Sequence, residues 1–492
     1  VAGGTFRIFA GSGRWYFETT GGVASSTVVG FHKLTRGYFL DAILGYTDGA
    51  DTEGYAYAMD GNKLNNGGSA YGASWTTSDV IGCAIDASAA TASITFYKNG
   101  VSQGVAFSNL TGDFIPAVSI GGTGPVVCNF GQRPFAYAAP SGFKSLNTHN
   151  LPALAVVKSN TAFDAKLYTG NGTSLTVSEF GVSPDLVWIK GRSTAYSHYL
   201  FDTIRGATKM LYSESTSQED TGATSLTAFT SNGFTVGTNI GVNNNATSHI
   251  AWAWDAGTTT VVNTAGSITA NVRVNQSSGF SVVAYAITSA SATISTFGHG
   301  LGVVPNMVIL KVRNTVDDWT VYHSSIATPN SNWITLNSIA AAGGSTSTFS
   351  QSSTTFGVRE TRLVGSGGSG NIIAYCFAAV PGFSAFGSYT GNGSADGPFV
   401  YTGFRPRFIM LKSSTVASTN WQINDTARDT YNVANKRLAP SAADAEATNF
   451  DFGDILSNGF KIRQTDQTWN SNGQTYIYAA FAEQPFKYSR AR

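Results

Sequence analysis

The sequence predicts an all-β protein made of tandem antiparallel β-sandwiches. Three observations lead there. Charged residues are only 12% of the 492, against roughly 25% in ordinary soluble proteins. Gly, Ser, Thr and Asn take their place, and these form turns well and helices poorly. Aromatic residues reach 12%, with 31 Phe and 21 Tyr, which suits strands. Short apolar or alternating runs, punctuated by Gly and Asn turns, recur along the whole length, as in sandwiches joined by turns.

The totals also exclude function classes. With 30 Lys+Arg against 29 Asp+Glu the net charge is +1, so no basic face is available for nucleic acid or for a polybasic membrane anchor. No apolar run reaches the length of a membrane span, so no membrane insertion is expected. Cys83, Cys128 and Cys376 are an odd, widely spaced set. They read as small buried hydrophobes in a chain folded in a reducing cytoplasm, not as a disulfide framework. The first residues carry no signal-peptide pattern, and an earlier segment before Val1 stays open.

The first module spans 1–145. Trp15-Tyr16-Phe17-Glu18 follows a Gly11-Ser12-Gly13 turn, and Ile94-Thr95-Phe96-Tyr97 alternates like a half-buried strand. The latter runs into Lys98-Asn99-Gly100-Val101, where Asn-Gly predicts a type I′ hairpin because both central residues need positive φ. Leu64–Ser74, rich in Asn, Gly and Ser, is expected to be a surface loop.

These pieces stand with Val29-Gly30-Phe31, Tyr71-Gly72, Asp79–Asp86, Phe114–Ser119 and Asn129–Phe135 in an order that resembles a SPRY domain. The resemblance implies a two-sheet sandwich used as a non-catalytic binding module, with ligands met by loops at one end. It carries over no individual binding residue.

The remainder repeats internally. Val187-Trp188-Ile189-Lys190, Val308-Ile309-Leu310-Lys311 and Ile409-Met410-Leu411-Lys412 place a lysine after an apolar run at intervals of 121 and 101 residues. The closing aromatics Trp254, Phe377 and Phe481 recur at 123 and 104. A Gly-Phe or Phe-Gly step precedes each closing strand, at Gly233-Phe234, Phe356-Gly357 and Gly459-Phe460. Units this long are expected to be sandwiches with their own cores, at 160–258, 277–385 and 386–492. Their apolar runs read as central strands covered on both faces. Thr258–Gln276 reads as a linker open to being a strand itself. Through Val187–Lys190 and the ending Ala480–Phe486, the repeats resemble C-terminal modules of tailed-phage fibre and virion-appendage proteins. The second repeat departs from that pattern, lacking the Thr-Gly-Asn-Gly of Thr169–Gly172 and Thr390–Gly393.

No catalytic constellation stands out. The six histidines are scattered, with no metal-ligand spacing, and read as surface or turn residues. Asp317-Asp318 and Glu219-Asp220 read as solvated loop acids and not as a glycosidase pair. No enzyme activity, metal or cofactor is expected. Aromatics are the binding candidates, since exposed Trp and Tyr stack on sugars and anchor interfaces. Tyr55, Tyr57, Tyr71 and Trp75 gather around the Gly-rich loop of the first module, although plugging the sandwich edge is the favoured role of Trp75. Trp319, Trp421 and Trp469 sit in polar surroundings and are expected at the surface.

The reading that follows is a phage tail or head fibre, a virion component assembled in the host cytoplasm. Its partners are other virion proteins and a host surface glycan or protein, and it is expected to be a homo-oligomer with a trimer favoured. The alternatives are a structural virion protein without a receptor, a polysaccharide depolymerase, and a cellular adhesin or lectin.

Overall fold

Strand alternation resolves into paired antiparallel sheets throughout, with helix confined to short turns. The computed structural model describes residues 2–3, 8–22, 27–33, 44–45, 53–121, 124–147, 150, 155–344, 347–448 and 451–484. The chain divides into two compact units, 1–153 and 154–492.

The first unit is a two-sheet sandwich. One sheet runs Ala2–Gly3, Phe114–Ile120, Thr27–Lys33, Gly54–Ala58, Asn62–Leu64, Gly68–Ala70. The other runs Val126–Asn129, Gly13–Gly21, Ile81–Ala87, Ala92–Lys98, Val101–Leu110. Trp15, Phe17, Phe31, Ile85, Ile94 and Phe96 fill the space between them. The Asn99-Gly100 turn has φ of 48° and 79°, the two positive values that a type I′ hairpin needs. Leu64–Ser74 is not all loop. Gly68–Ala70 turns back to pair with Asn62–Leu64, with its side chains exposed. All three cysteines are free. Cys83 and Cys128 lie on strands flanking Gly13–Gly21.

In the second unit each repeat holds a main sheet faced by a three-stranded sheet. The lysine-bearing run lies beside the closing aromatic strand every time. Leu186–Gly191 pairs Ser248–Trp254, Met307–Val312 pairs Gly370–Phe377, and Pro406–Ser413 pairs Thr475–Ala482. The Gly-Phe steps belong to the small sheets. A Cβ on Gly233 would strike the Val177 carbonyl, and one on Gly459 the Val400 carbonyl. The supposed linker Thr258–Gln276 supplies two strands, Thr260–Asn263 and Ala270–Asn275, to the main sheet of the second repeat.

Separate cores are only half of the arrangement. The first and second repeats each enclose a core between their own two sheets. The opposite faces of all three main sheets meet in one shared core. At its centre Trp254, Phe377 and Phe481 form a triangle with ring centroids 6.3, 5.8 and 5.9 Å apart. The three repeats thus surround a pseudo-threefold axis inside one chain.

The same threefold order governs the polar contacts between repeats. Lys190 Nζ donates to Ala443 O of the third repeat, Lys311 Nζ to Thr216 O of the first, and Lys412 Nζ to Ile339 O of the second. Backbone bonds follow the same cycle, Glu446 N to Arg192 O, Glu219 N to Arg313 O and Ala342 N to Ser414 O. Two of these seams also carry ion pairs, Arg192–Glu446 and Arg313–Glu219, both at 2.7–2.9 Å. At the third seam Ser414 and Ala342 stand in the matching positions, where no such ion pair forms. Glu219 is therefore an interface anchor and not a solvated loop acid. Burial pushes each of the three lysines down to about 8, and the backbone carbonyls they meet replace lost water.

Candidate binding surface

The reactive side chains of the second unit are absorbed by its own packing. His198, His249, His299 and His323 are buried, not surface or turn residues. Arg205 is enclosed by Asp202, Glu219 and the Tyr375 hydroxyl, and Arg428 by Asp425 and Glu446. Trp319, Trp421 and Trp469, expected at the surface, have at most 1% exposure. Trp319 Nε1 donates to Tyr212 O of the first repeat at 2.8 Å, and Trp421 Nε1 donates to Thr335 O of the second at 3.0 Å. Trp469 lies under the Arg437 guanidinium, 5.5 Å from its ring centre. Trp319 and Trp421 are covered by the adjoining repeat and Trp469 by its own, so polar sequence neighbours do not place them at the surface. Among the described residues no group of three or more His, Cys, Asp and Glu is arranged to hold a metal, and no helix is long and apolar enough to cross a membrane.

In the first unit the predicted aromatics do come together. Tyr57 is fully buried and Trp75 is 5% exposed, so Trp75 plugs the sandwich. Tyr57 stacks on Phe96 at 5.4 Å and meets Tyr71 edge-on at 5.4 Å. Half-buried Tyr55 packs edge-on against Phe107 and Phe114. Burial pushes the Tyr57 and Tyr71 phenols up to about 12, so both act as hydroxyl donors. Tyr57 Oη donates to Ala73 O and Tyr71 Oη to Gly104 O. Gln103 Oε1 accepts from Ala73 N at 2.9 Å, and Lys98 Nζ donates to Ser74 O at 2.7 Å. The cluster therefore fastens loop 71–75 to the 92–110 hairpin, and of its rings only Tyr55 and Tyr71 reach the surface in part.

That fastening displays two valines among exposed polar residues. On the edge strand Val101–Leu110, Val101 and Val105 are 66% and 60% exposed. Tyr137 sits at the start of this strand, against Gly100, where a Cβ would fall 2.7 Å from its ring. Buried Glu18 positions that tyrosine, accepting from Ala136 N at 2.8 Å, Tyr137 N at 3.0 Å and the Tyr16 hydroxyl at 3.3 Å. Burial, with the Glu18 carboxylate next, holds the Tyr16 hydroxyl well above the usual phenol range. Val101, Val105 and Tyr137 were not legible as a site, because alternation marks a strand without saying which strand is an edge. Glu18→Ala is expected to cost about 1–3 kcal/mol of stability. It should also abolish the hydrogen-exchange protection of the Ala136 and Tyr137 amides; protection that persists would sink the anchoring role.

Comparison with known proteins follows this division. The family model described as a domain of unknown function, DUF7483, matches residues 158–485, and that of the SPRY domain matches 14–133. The E3 ubiquitin-protein ligase RKP of Arabidopsis thaliana is 32% identical over 142 residues, 27% of this chain and 10% of that protein. Ran-binding protein 9 of Xenopus laevis is 35% identical over 140 residues, 27% of this chain and 24% of that protein. The Drosophila melanogaster homolog of Ran-binding proteins 9/10 is 40% identical over 93 residues, 18% and 10% of the two chains. The chain thus spans a quarter or less of the length of these relatives. The crystal structure of a human SPRY domain has 26% identity, covers 27% of this chain and 85% of its own, and has a TM-score of 0.22.

These findings overturn the phage reading. The relatives are eukaryotic SPRY proteins and not virion components, and the repeats match a domain of unknown function. The fibre function falls, together with its structural-virion and depolymerase alternatives. So do the virion location and the virion-protein and host-glycan partners. The trimer expectation rested on the same reading, and the threefold it sought is supplied within one chain.

Proposed function

The chain belongs to the DUF7483 family and carries a SPRY domain ahead of that region, and we propose that it is a non-catalytic recognition protein. Its SPRY sandwich binds a protein ligand through the surface of Val101, Val105, Tyr137 and the rim of Tyr71. The three-repeat unit is a rigid β platform on the same chain. The observation that carries this reading is the pair of exposed valines on a laced-down edge strand with an anchored tyrosine beside it. Rigid aromatic and aliphatic groups held at a surface are what interface anchors require. Names such as Ran-binding protein, borne by relatives that share the SPRY part, support a protein as the ligand class.

A peptide array probed with the full chain tests the proposal. Peptides should be captured, and Val105→Asp and Tyr137→Ala should each weaken that capture at least about tenfold, as interface anchors do, with the melting temperature unchanged. Capture indifferent to both substitutions, or none at all, would overturn the assignment.

A further inference from the structure

The second repeat has something the other two lack. Its main sheet is extended by the hairpin Thr260–Asn263 and Ala270–Asn275, so that Thr260–Asn263 forms the sheet edge. Thr260, Val261 and Val262 are all exposed, the valines at 51% and 67%. Thr260–Val262 is exposed on both faces, and Asn263 at its end packs over Gly298 of the small sheet.

Two edges of the first unit are blunted by side chains. On Val101–Leu110, Tyr71 Oη donates to Gly104 O and Gln103 Nε2 to Val101 O. On Val126–Asn129, Gln132 Nε2 donates to Cys128 O at 2.8 Å. Among the described residues, no side chain or further strand bonds the backbone of Thr260–Asn263 beyond its partner Ala270–Asn275. The usual sequence protections are missing too. From Ala256 to Val272 there is no charged residue and no proline, whereas edges are ordinarily guarded by lysine, proline or a bulge.

We propose that Thr260–Asn263 is the interface through which two copies of this chain pair, edge to edge and antiparallel. The composition favours a second copy over a foreign strand. A twofold axis normal to the sheet and centred on Val262 sets Val262 against itself, Val261 against Asn263 and Thr260 against Thr264. Each cross-strand pair is neutral, and each holds at least one β-branched residue. Such pairs stabilise a sheet, while like charges opposite each other would oppose it. A charged foreign strand would find no counter-charge along this stretch. Because Val261 and Val262 are exposed on opposite sides of the strand, they gain contacts above and below the joined sheet while the backbone ladder continues between copies. This inference does not depend on the SPRY surface, which lies in the other unit.

The test is sedimentation velocity on the full chain across a concentration series. A pairing this short belongs with small, transient interfaces, so half-association near about 100 μM is expected. Val262→Lys and Val262→Glu should each keep the chain monomeric at tenfold higher concentration without lowering its melting temperature, since the side chain points into solvent. Mixing the two variants should restore a dimer containing one of each, because the axis sets the new charges opposite one another. A wild-type chain that stays monomeric throughout overturns the proposal. So does a dimer that survives both substitutions, or a mixture that fails to pair.

Discussion

Phe481→Ala is expected to lower the unfolding free energy of the three-repeat unit by about 3–5 kcal/mol. Phe481 is 3% exposed and stands at one corner of the central triangle. It touches Trp254 and Phe377 across the axis, and Phe163, Phe383 and Phe386 around it. Beside it lies an apolar void of about 20 Å³. Truncation would enlarge that void, and three sheets braced against each other have little freedom to collapse into it. Tyr431→Ala, at an 84% exposed site, should change stability by less than about 0.5 kcal/mol. Urea unfolding followed by tryptophan fluorescence compares the two. Since the triangle takes one ring from each repeat, the unit should unfold in a single transition that Phe481→Ala shifts as a whole. Three separable transitions would refute the shared core.

Acidification is expected to weaken the same unit, by about 3 kcal/mol for each of two histidines between pH 6.5 and 4. Burial pushes His249 and His323 down to about 4 and His198 well below the usual range. Local bonds reinforce the neutral form. His198 Nδ1 accepts from Trp188 Nε1 at 3.0 Å and His323 Nδ1 from Ser325 N at 3.1 Å, and neither bond survives protonation of that nitrogen. Above pH 6.5 the rings are neutral both folded and unfolded. Below it the unfolded chain takes up protons that the native state refuses, so stability falls as pH falls through the folded values. The buried lysines act at the other end. Their folded values near 8 lie below the ordinary 10.5, so their contribution rises as pH increases from 8 toward 10.5. Urea midpoints measured from pH 8 to pH 4 should therefore decline below 6.5. His323→Gln keeps a donor for Tyr478 O, which His323 Nε2 meets at 3.1 Å. It should make the decline shallower by about one proton's worth. An unchanged slope would show that His323 is not among the groups responsible.

Local chemistry made much of the fold readable. The Asn99-Gly100 turn needed only the φ preferences of its two residues. The repeat was visible because the same face must be filled three times, which keeps lysines and closing aromatics in step. The SPRY module was recognisable for a similar reason, since its motifs are strand and turn segments whose order survives in sequence. The aromatic cluster of Tyr55, Tyr57, Tyr71 and Trp75 was also in view, although it braces a loop more than it offers a surface. A signal for the inter-repeat seams was present but unread. A lysine at the end of a wholly apolar run, three times over, requires buried polar partners, and each lysine finds them partly in its own repeat and partly across a seam.

The sequence by itself determined the β class, the turns, the SPRY-like module and the threefold repetition, because each rests on residues near one another along the chain. Only the tertiary structure decided that the repeats share a core, that Trp319, Trp421 and Trp469 are buried, and that Val101, Val105, Val261 and Val262 are exposed. Those outcomes depend on which sheet faces meet and which strands end a sheet. Period-two alternation marks the sides of a strand but carries no information about what lies beyond its neighbours.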